Sequence, residues 1–285
     1  MRIILITMAA IVVASVLTAL FVGNGSTRPT DRRSVVAAFY PLAYAAQQLG
    51  GPQVHVTNLT PAGAEPHDLE LRPSDVNTVN HAGVVLLMGH GFQPQLERVA
   101  AGSKAEVLTL LDTPGLDRHG QDPHVWQDPL RYALLVERIG KALHAEPAAA
   151  RFVARLHALD RDFRAGLAHC ARHEIVTSHA AFGYLAERYG LTQIPVEGLA
   201  PEAEPSPKDL ARVVALAKND GVTTVYAETL VSPKLAETIA RETGARSAVL
   251  DPIEGLTPKA VAHGADYFSV MQANLAALRR GLGCR

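Results

Sequence analysis

SVVAAFYPLAYAAQQLGGPQVHVTNL, residues 34–59, carries the pattern from which the architecture is read. Ser34 to Phe39 is a short apolar run suited to a buried strand. Pro41 to Leu49 repeats apolar residues at helical spacing and is stopped by Gly50-Gly51, and Val54 to Leu59 returns to a strand pattern. The same alternation continues outward. A loop from Thr60 to Arg72 leads to a helix beginning at Pro73-Ser74-Asp75. The strand Val84 to Met88, the helix Gln93 to Ala100 and the strand Glu106 to Leu110 follow. Strands alternating with helices in this way predict a parallel sheet covered by helices.

From Pro129 the pattern turns helical, with Asp128 as N-cap and Pro129 at the first helical position. After it, Phe152, Leu156, Leu159, Phe163 and Leu167 recur three and four apart, while Arg151, Arg155, Arg161 and Arg164 take the opposite face. This predicts one long helix, residues 147–169, with a single buried stripe. A second strand and helix series then follows. Its strands are Glu174 to Ser178, Gln193 to Val196, Val222 to Ala227 and Ser247 to Leu250; its helices are Ala180 to Tyr189, Lys208 to Lys218, Pro233 to Thr243 and Asp266 to Leu282. The expected class is α/β, with an N-terminal lobe at 34–146, a connecting helix at 147–169 and a C-terminal lobe at 170–285.

With 285 residues, 48% hydrophobic and 19% charged, the chain can bury real cores. A formal net charge of −1 provides no general attraction to nucleic acid, and aromatics at 5% leave few stacking platforms. Residues 1–25 stand apart. Arg2 precedes an apolar run from Ile3 to Val22 that ends at Gly23-Asn24-Gly25-Ser26, which reads as an export signal or, because about 20 residues span a bilayer, as an uncleaved anchor. No cysteine lies near it to carry a lipid. The two cysteines, Cys170 and Cys284, permit one pairing, and an exported protein is expected to join them.

Four residues share a setting. His67 stands in Ala-Glu-Pro-His-Asp, His124 in Asp-Pro-His-Val-Trp, His179 at the end of a strand in Ser-His-Ala-Ala, and Asp251 at the end of another in Leu-Asp-Pro. Each occupies a loop or the carboxyl end of an expected strand, where open α/β sheets place their ligands. Pro66, Pro123 and Pro252 stiffen three of the four. Three imidazoles and one carboxylate suit Zn2+, fill a tetrahedral shell and leave no position for a reacting water. Glu65 and Glu228 are candidates to accept the imidazole N–H groups. His90, between Gly89 and Gly91, stands near an expected strand end, and His119 reads as a solvated loop residue.

These motifs, together with Arg72-Pro73-Ser74-Asp75, Phe182-Gly183-Tyr184, Pro201-Glu202-Ala203-Glu204-Pro205 and Leu250-Asp251-Pro252-Ile253-Glu254-Gly255-Leu256, resemble those of the metal-binding proteins of zinc-uptake ABC transporters, the ZnuA-like and TroA-like family. The resemblance runs from about Ser34 to the C-terminus. It implies two α/β lobes joined by one long rigid helix, with the ion in the interlobe cleft held by His67, His124, His179 and Asp251. It also implies a monomeric, exported, non-catalytic receptor that delivers Zn2+ to an ABC permease. A histidine at the third position is the form associated with zinc. The segment Thr113 to Asp122 is short and holds only His119, where many zinc members carry a long His-rich loop. Competing readings are a manganese or iron receptor of the same kind, a zinc hydrolase using Glu65 or Glu228 as base, and a surface adhesin.

Overall fold

The structure, a computed structural model, describes residues 32–201 and 205–285. The expected signal or anchor at 1–25 and the acidic part of the Pro/Glu-rich loop, 202–204, lie outside the described residues. Two four-stranded sheets, all parallel, carry the fold. In the first, β1 (Arg33–Ala37), β2 (Val54–Asn58), β3 (Val84–Leu87) and β4 (Glu106–Thr109) lie in the order β2-β1-β3-β4, with helices α1 (Tyr40–Gly50), α2 (Pro73–Asn80) and α3 (Pro94–Ala101) as connections. Val35, Val36 and Ala37 are consecutive and all fully buried, so β1 has both faces covered, as parallel sheets require.

Helices α4 (Pro129–Ala142) and α5 (Glu146–Leu167) follow. Asp128 caps α4 by accepting from the Leu130 and Arg131 amides, as the Asp-Pro pair predicts. The second sheet repeats the first: β5 (Glu174–Thr177), β6 (Thr192–Pro195), β7 (Thr224–Ala227) and β8 (Arg246–Val249) lie in the order β6-β5-β7-β8, with α6 (Gly183–Tyr189), α7 (Pro207–Asn219) and α8 (Lys234–Thr243) between them. A short α9 (Pro258–Ala262), without a counterpart among the sequence expectations, precedes the last helix, α10 (Tyr267–Leu282). The helix expected from Ala180 starts only at Gly183, because the Ala180 amide donates to Gly198 O at 2.8 Å and turns the chain away from helical pairing. Among the described residues no helix is long and apolar enough to cross a membrane.

Helix α5 touches both halves through its predicted stripe. Phe152, Leu156, Leu159, Phe163 and Leu167 are all buried, and the four arginines opposite are exposed. Phe152 meets Tyr44 and Tyr132 of the first half at 5.7 and 5.9 Å and Phe268 of the second at 5.3 Å, while Phe163 stacks on Tyr189 at 5.0 Å. Edge and offset aromatic contacts of this kind add about 0.5–1.5 kcal/mol each beyond their buried area. Gly140 permits the closest approach of α4 to α5: a Cβ there would lie 2.5 Å from the Ala149 Cβ. Cys170, just past α5, is bonded to Cys284 beyond α10. On the chain-entropy model, closing a loop of about 100 residues stabilises by about 4–5 kcal/mol.

Candidate metal centre

Both sheets place neighbouring strands, β1 with β3 and β5 with β7, whose connections leave in opposite directions, so a crevice opens at their carboxyl ends. The four loops that reach it come from both halves. His67 lies in the loop between β2 and α2, His124 immediately before the tight turn Val125–Gln127 that enters α4, His179 two residues after β5, and Glu254 between β8 and α9. Their donor atoms lie within 4.8 Å of one another. The Nε2 atoms of His67, His124 and His179 stand 3.1, 2.9 and 3.4 Å from Glu254 Oε1. Zn–N and Zn–O bonds of about 2.0–2.1 Å at tetrahedral angles place ligand atoms about 3.3 Å apart, close to the three edges that meet at Glu254 Oε1. Two of its atoms, His179 Nε2 and Glu254 Oε2, are buried without a hydrogen-bond partner, and a cation bound at the imidazole focus would engage the first.

Asp251, expected as the fourth ligand, lies outside this group, and Glu254, three residues on, takes the position beside the imidazoles. The Asp251 carboxylate is engaged in shaping the turn. Its Oδ1 accepts the Ile253 amide at 2.7 Å and its Oδ2 accepts the Thr229 hydroxyl at 2.9 Å. The backbone then turns sharply. Ile253 adopts φ 58°, a left-handed conformation that is rare and costly for a β-branched residue. That turn delivers Glu254 inward, fully buried. A carboxylate three residues after Asp251 stands in the quoted motif. Nothing in composition or periodicity signalled the positive φ that aims it.

The carboxylates behind the histidines sort them into two kinds. Asp122 Oδ1 accepts from both the backbone and ring N–H of His124, at 2.9 and 2.7 Å. Glu228 does the same for His179, at 3.0 and 2.7 Å. Such partners fix the ring and leave Nε2 facing the ion. Glu228 was anticipated in this role and Asp122 was not, although it stands two residues before His124. Glu65, the other anticipated acceptor, receives only the backbone N–H of His67 at 3.3 Å. Burial and the repulsion of Glu254 push its carboxyl up to about 8. Burial works against a charged His179, yet Glu228 and Glu254 outweigh it and raise the imidazole to about 10. Burial likewise opposes a charged His124, and Asp122 and Glu254 raise it nonetheless. Glu254 is pushed up by burial, but the three imidazoles hold it well below the usual carboxylate range.

A cavity of about 520 Å3 opens beside His67, lined also by Gly89, His90, Phe92, Gln121 and Pro123. His67 is the one member of the four with side-chain exposure, 7% against zero for the others. His90 reaches the wall of this cavity but gives its Nε2 to Asp112 at 2.7 Å. His119 stacks on Tyr184 at 4.6 Å and pairs with Glu187, away from the centre. The two halves are also tied around the site. The Trp126 indole donates to Pro252 O at 2.8 Å, the Tyr267 hydroxyl donates to Trp126 O at 2.7 Å, and buried Asp128 binds Arg131 beside it and Arg188 of α6.

The family described as "Zinc-uptake complex component A periplasmic" matches residues 35–281. Among curated relatives, the zinc-binding protein AdcA of Streptococcus pyogenes is 34% identical over 86% of this chain, which spans 55% of that protein, so the chain covers about half its length. The high-affinity zinc uptake system protein ZnuA of Bacillus subtilis is 31% identical over 91% of this chain and 92% of its own. Among solved structures, the laminin-binding protein Lmb of Streptococcus agalactiae, described as a bifunctional protein with adhesin and metal-transporting activity, superposes with a TM-score of 0.80 at 30% identity. It covers 88% of this chain and 99% of its own. The Zn(II)-bound ZnuA-like domain of Streptococcus pneumoniae AdcA gives 0.76 at 33% identity, over 88% and 99%. A match over almost all of the described chain, with a relative above 30% identity that it spans nearly end to end, makes this chain a member of the zinc-uptake complex component A family.

Proposed function

We propose that the chain is a non-catalytic, extracytoplasmic zinc receptor that holds one Zn2+ through His67, His124, His179 and Glu254 and delivers it to an ABC permease. The observation that carries this reading is the convergence of three imidazole Nε2 atoms on one buried carboxylate oxygen at tetrahedral-edge distances. Nitrogen-rich sets favour zinc over manganese, magnesium or calcium. The names of the relatives point the same way. In this reading the two lobes, 34–146 and 170–285, meet at the ion on either side of the connecting helix, 147–169. Residues 1–25 serve for export or as an anchor, and the receptor works as a monomer. The Cys170–Cys284 bond fits an oxidising compartment.

A hydrolase is disfavoured by the same geometry. Four protein donors close a tetrahedral shell, and Asp122 and Glu228 are committed to imidazoles. Elemental analysis and competition titration of the purified chain test the reading. The expected result is one zinc per chain, held in preference to manganese, with retention most strongly reduced in Glu254→Gln and reduced to a lesser extent in Asp251→Asn. A protein that takes up no zinc, or prefers Mn2+, overturns it.

A further inference from the structure

We infer that Asn274, Thr229 and Asp251 are positioning residues that hold Glu254 to a single ligating oxygen and so set the metal preference of the centre. The inference rests on the ligand set proposed above and extends it to residues that touch no ion. The turn from Asp251 to Glu254 contains the φ 58° residue Ile253, a costly conformation that persists only where surrounding contacts over-determine it. Those contacts can be named. From α10, Asn274 is fully engaged with Asp251: its Oδ1 accepts the Asp251 amide at 2.9 Å and its Nδ2 donates to the Asp251 carbonyl at 2.7 Å. Thr229, at the end of β7, donates to Asp251 Oδ2 at 2.9 Å, which leaves Oδ1 to accept from Ile253 at 2.7 Å. One residue on, the Pro252 carbonyl accepts from Trp126 Nε1 at 2.8 Å and from Gln127 Nε2. Asn274, Gln127, Trp126 and Asp251 are all buried.

The turn is thus clamped from α10, from the end of β7 and from the entry to α4. Its one free product is the carboxylate of Glu254, with Oε1 at the focus of three imidazoles and Oε2 buried without a partner. A carboxylate held this way presents one oxygen and closes a four-coordinate shell, the geometry zinc accepts. If the clamp loosens, the same carboxylate can rotate to offer both oxygens or admit water. The higher coordination numbers and oxygen-rich shells that manganese favours then become accessible. Asp251 in this chain acts through Glu254.

The test uses Asn274→Ala, Thr229→Val and the conservative Thr229→Ser in the full chain, each loaded with Co2+ as a spectroscopic probe and titrated with Zn2+ against Mn2+. Asn274→Ala and Thr229→Val are expected to weaken zinc binding about 10- to 100-fold, the range for groups that orient metal ligands, while Mn2+ affinity changes little, so the preference narrows by the same factor. The visible Co2+ bands should fall from tetrahedral intensity toward that of higher coordination, and Thr229→Ser should retain the parent spectrum and preference. Should Asn274→Ala not fold, the Thr229 pair carries the same readout. Substituted proteins that keep the parent Co2+ spectrum and metal ratio overturn the positioning role while leaving the receptor reading intact. A parent protein that binds no Co2+ or Zn2+ overturns the receptor reading itself.

Discussion

The loop around His67 and the segment around His124 bring the same ring atom, Nε2, to Glu254 by opposite means. Asp122 grips His124 at backbone and ring together, Trp126 packs 5.2 Å away, and its side chain has no exposure. Behind His67 the nearby carboxylate, Glu65, takes only the backbone amide; the residue borders a cavity of about 520 Å3 and packs edge-on against Phe92 at 4.7 Å. His179, with Glu228 behind it, belongs with His124. The difference divides the cluster into a fixed side, His124, His179 and Glu254, fully buried, and His67, which borders the cavity.

The sharpest way to break that contrast is to remove each ring in turn. If a four-ligand zinc shell is worth about 10–16 kcal/mol, one ligand accounts for about 3, so His124→Ala and His67→Ala should each lose on the order of 100-fold or more in zinc affinity. Added imidazole should restore much of that loss in His67→Ala, where the cavity admits it, and little in His124→Ala. Equal rescue, measured by competition with a chelating dye, removes the distinction. Next in size are the carboxylates behind the rings. Glu228→Gln and Asp122→Asn should each cost about 10- to 100-fold. Glu65→Gln, which replaces a group already neutral at pH 7 and bound to no ring, should cost only a fewfold. A Glu65 substitution as damaging as Glu228→Gln would place His67 on the fixed side.

Smallest, but most specific, is the proton count. His179, raised to about 10, is protonated in the metal-free protein at pH 7 and must lose its Nε2 proton to ligate. Binding therefore releases at least one proton, and apparent affinity falls as pH drops, by about tenfold per pH unit for each proton released. Calorimetry at pH 7 in two buffers of different ionisation enthalpy checks this. Heats that do not depend on the buffer contradict it.

Much of this was legible in the chain itself. The apolar runs and the stripe from Phe152 to Leu167 announce two α/β halves and a long helix because burial on both faces of a sheet, or on one face of a helix, is a periodic demand. The three histidines were visible by their setting beside prolines and at strand ends. Glu254, the fourth member of the cluster, was not. Asp251 and Glu254 are both carboxylates in one turn, and what separates them is the left-handed φ of Ile253, imposed by Asn274 twenty-odd residues later and by Trp126 and Gln127 far earlier. Naming Glu65 but not Asp122 as a candidate acceptor has the same cause. Each stands two residues before a histidine with a proline between, and only the folded path of each loop decides whether a carboxylate reaches a ring or a backbone amide.

The bond between Cys170 and Cys284 turns everything from the foot of α5 to the end of α10 into a covalent ring. A mechanical load applied at Arg285 passes through the sulfurs directly to the foot of α5 and bypasses the strands that present His179 and Glu254. A single protease nick at, say, Pro205 would cut the ring open without releasing either piece. The half of the molecule that holds two of the four donors is shielded from a tug on its own tail.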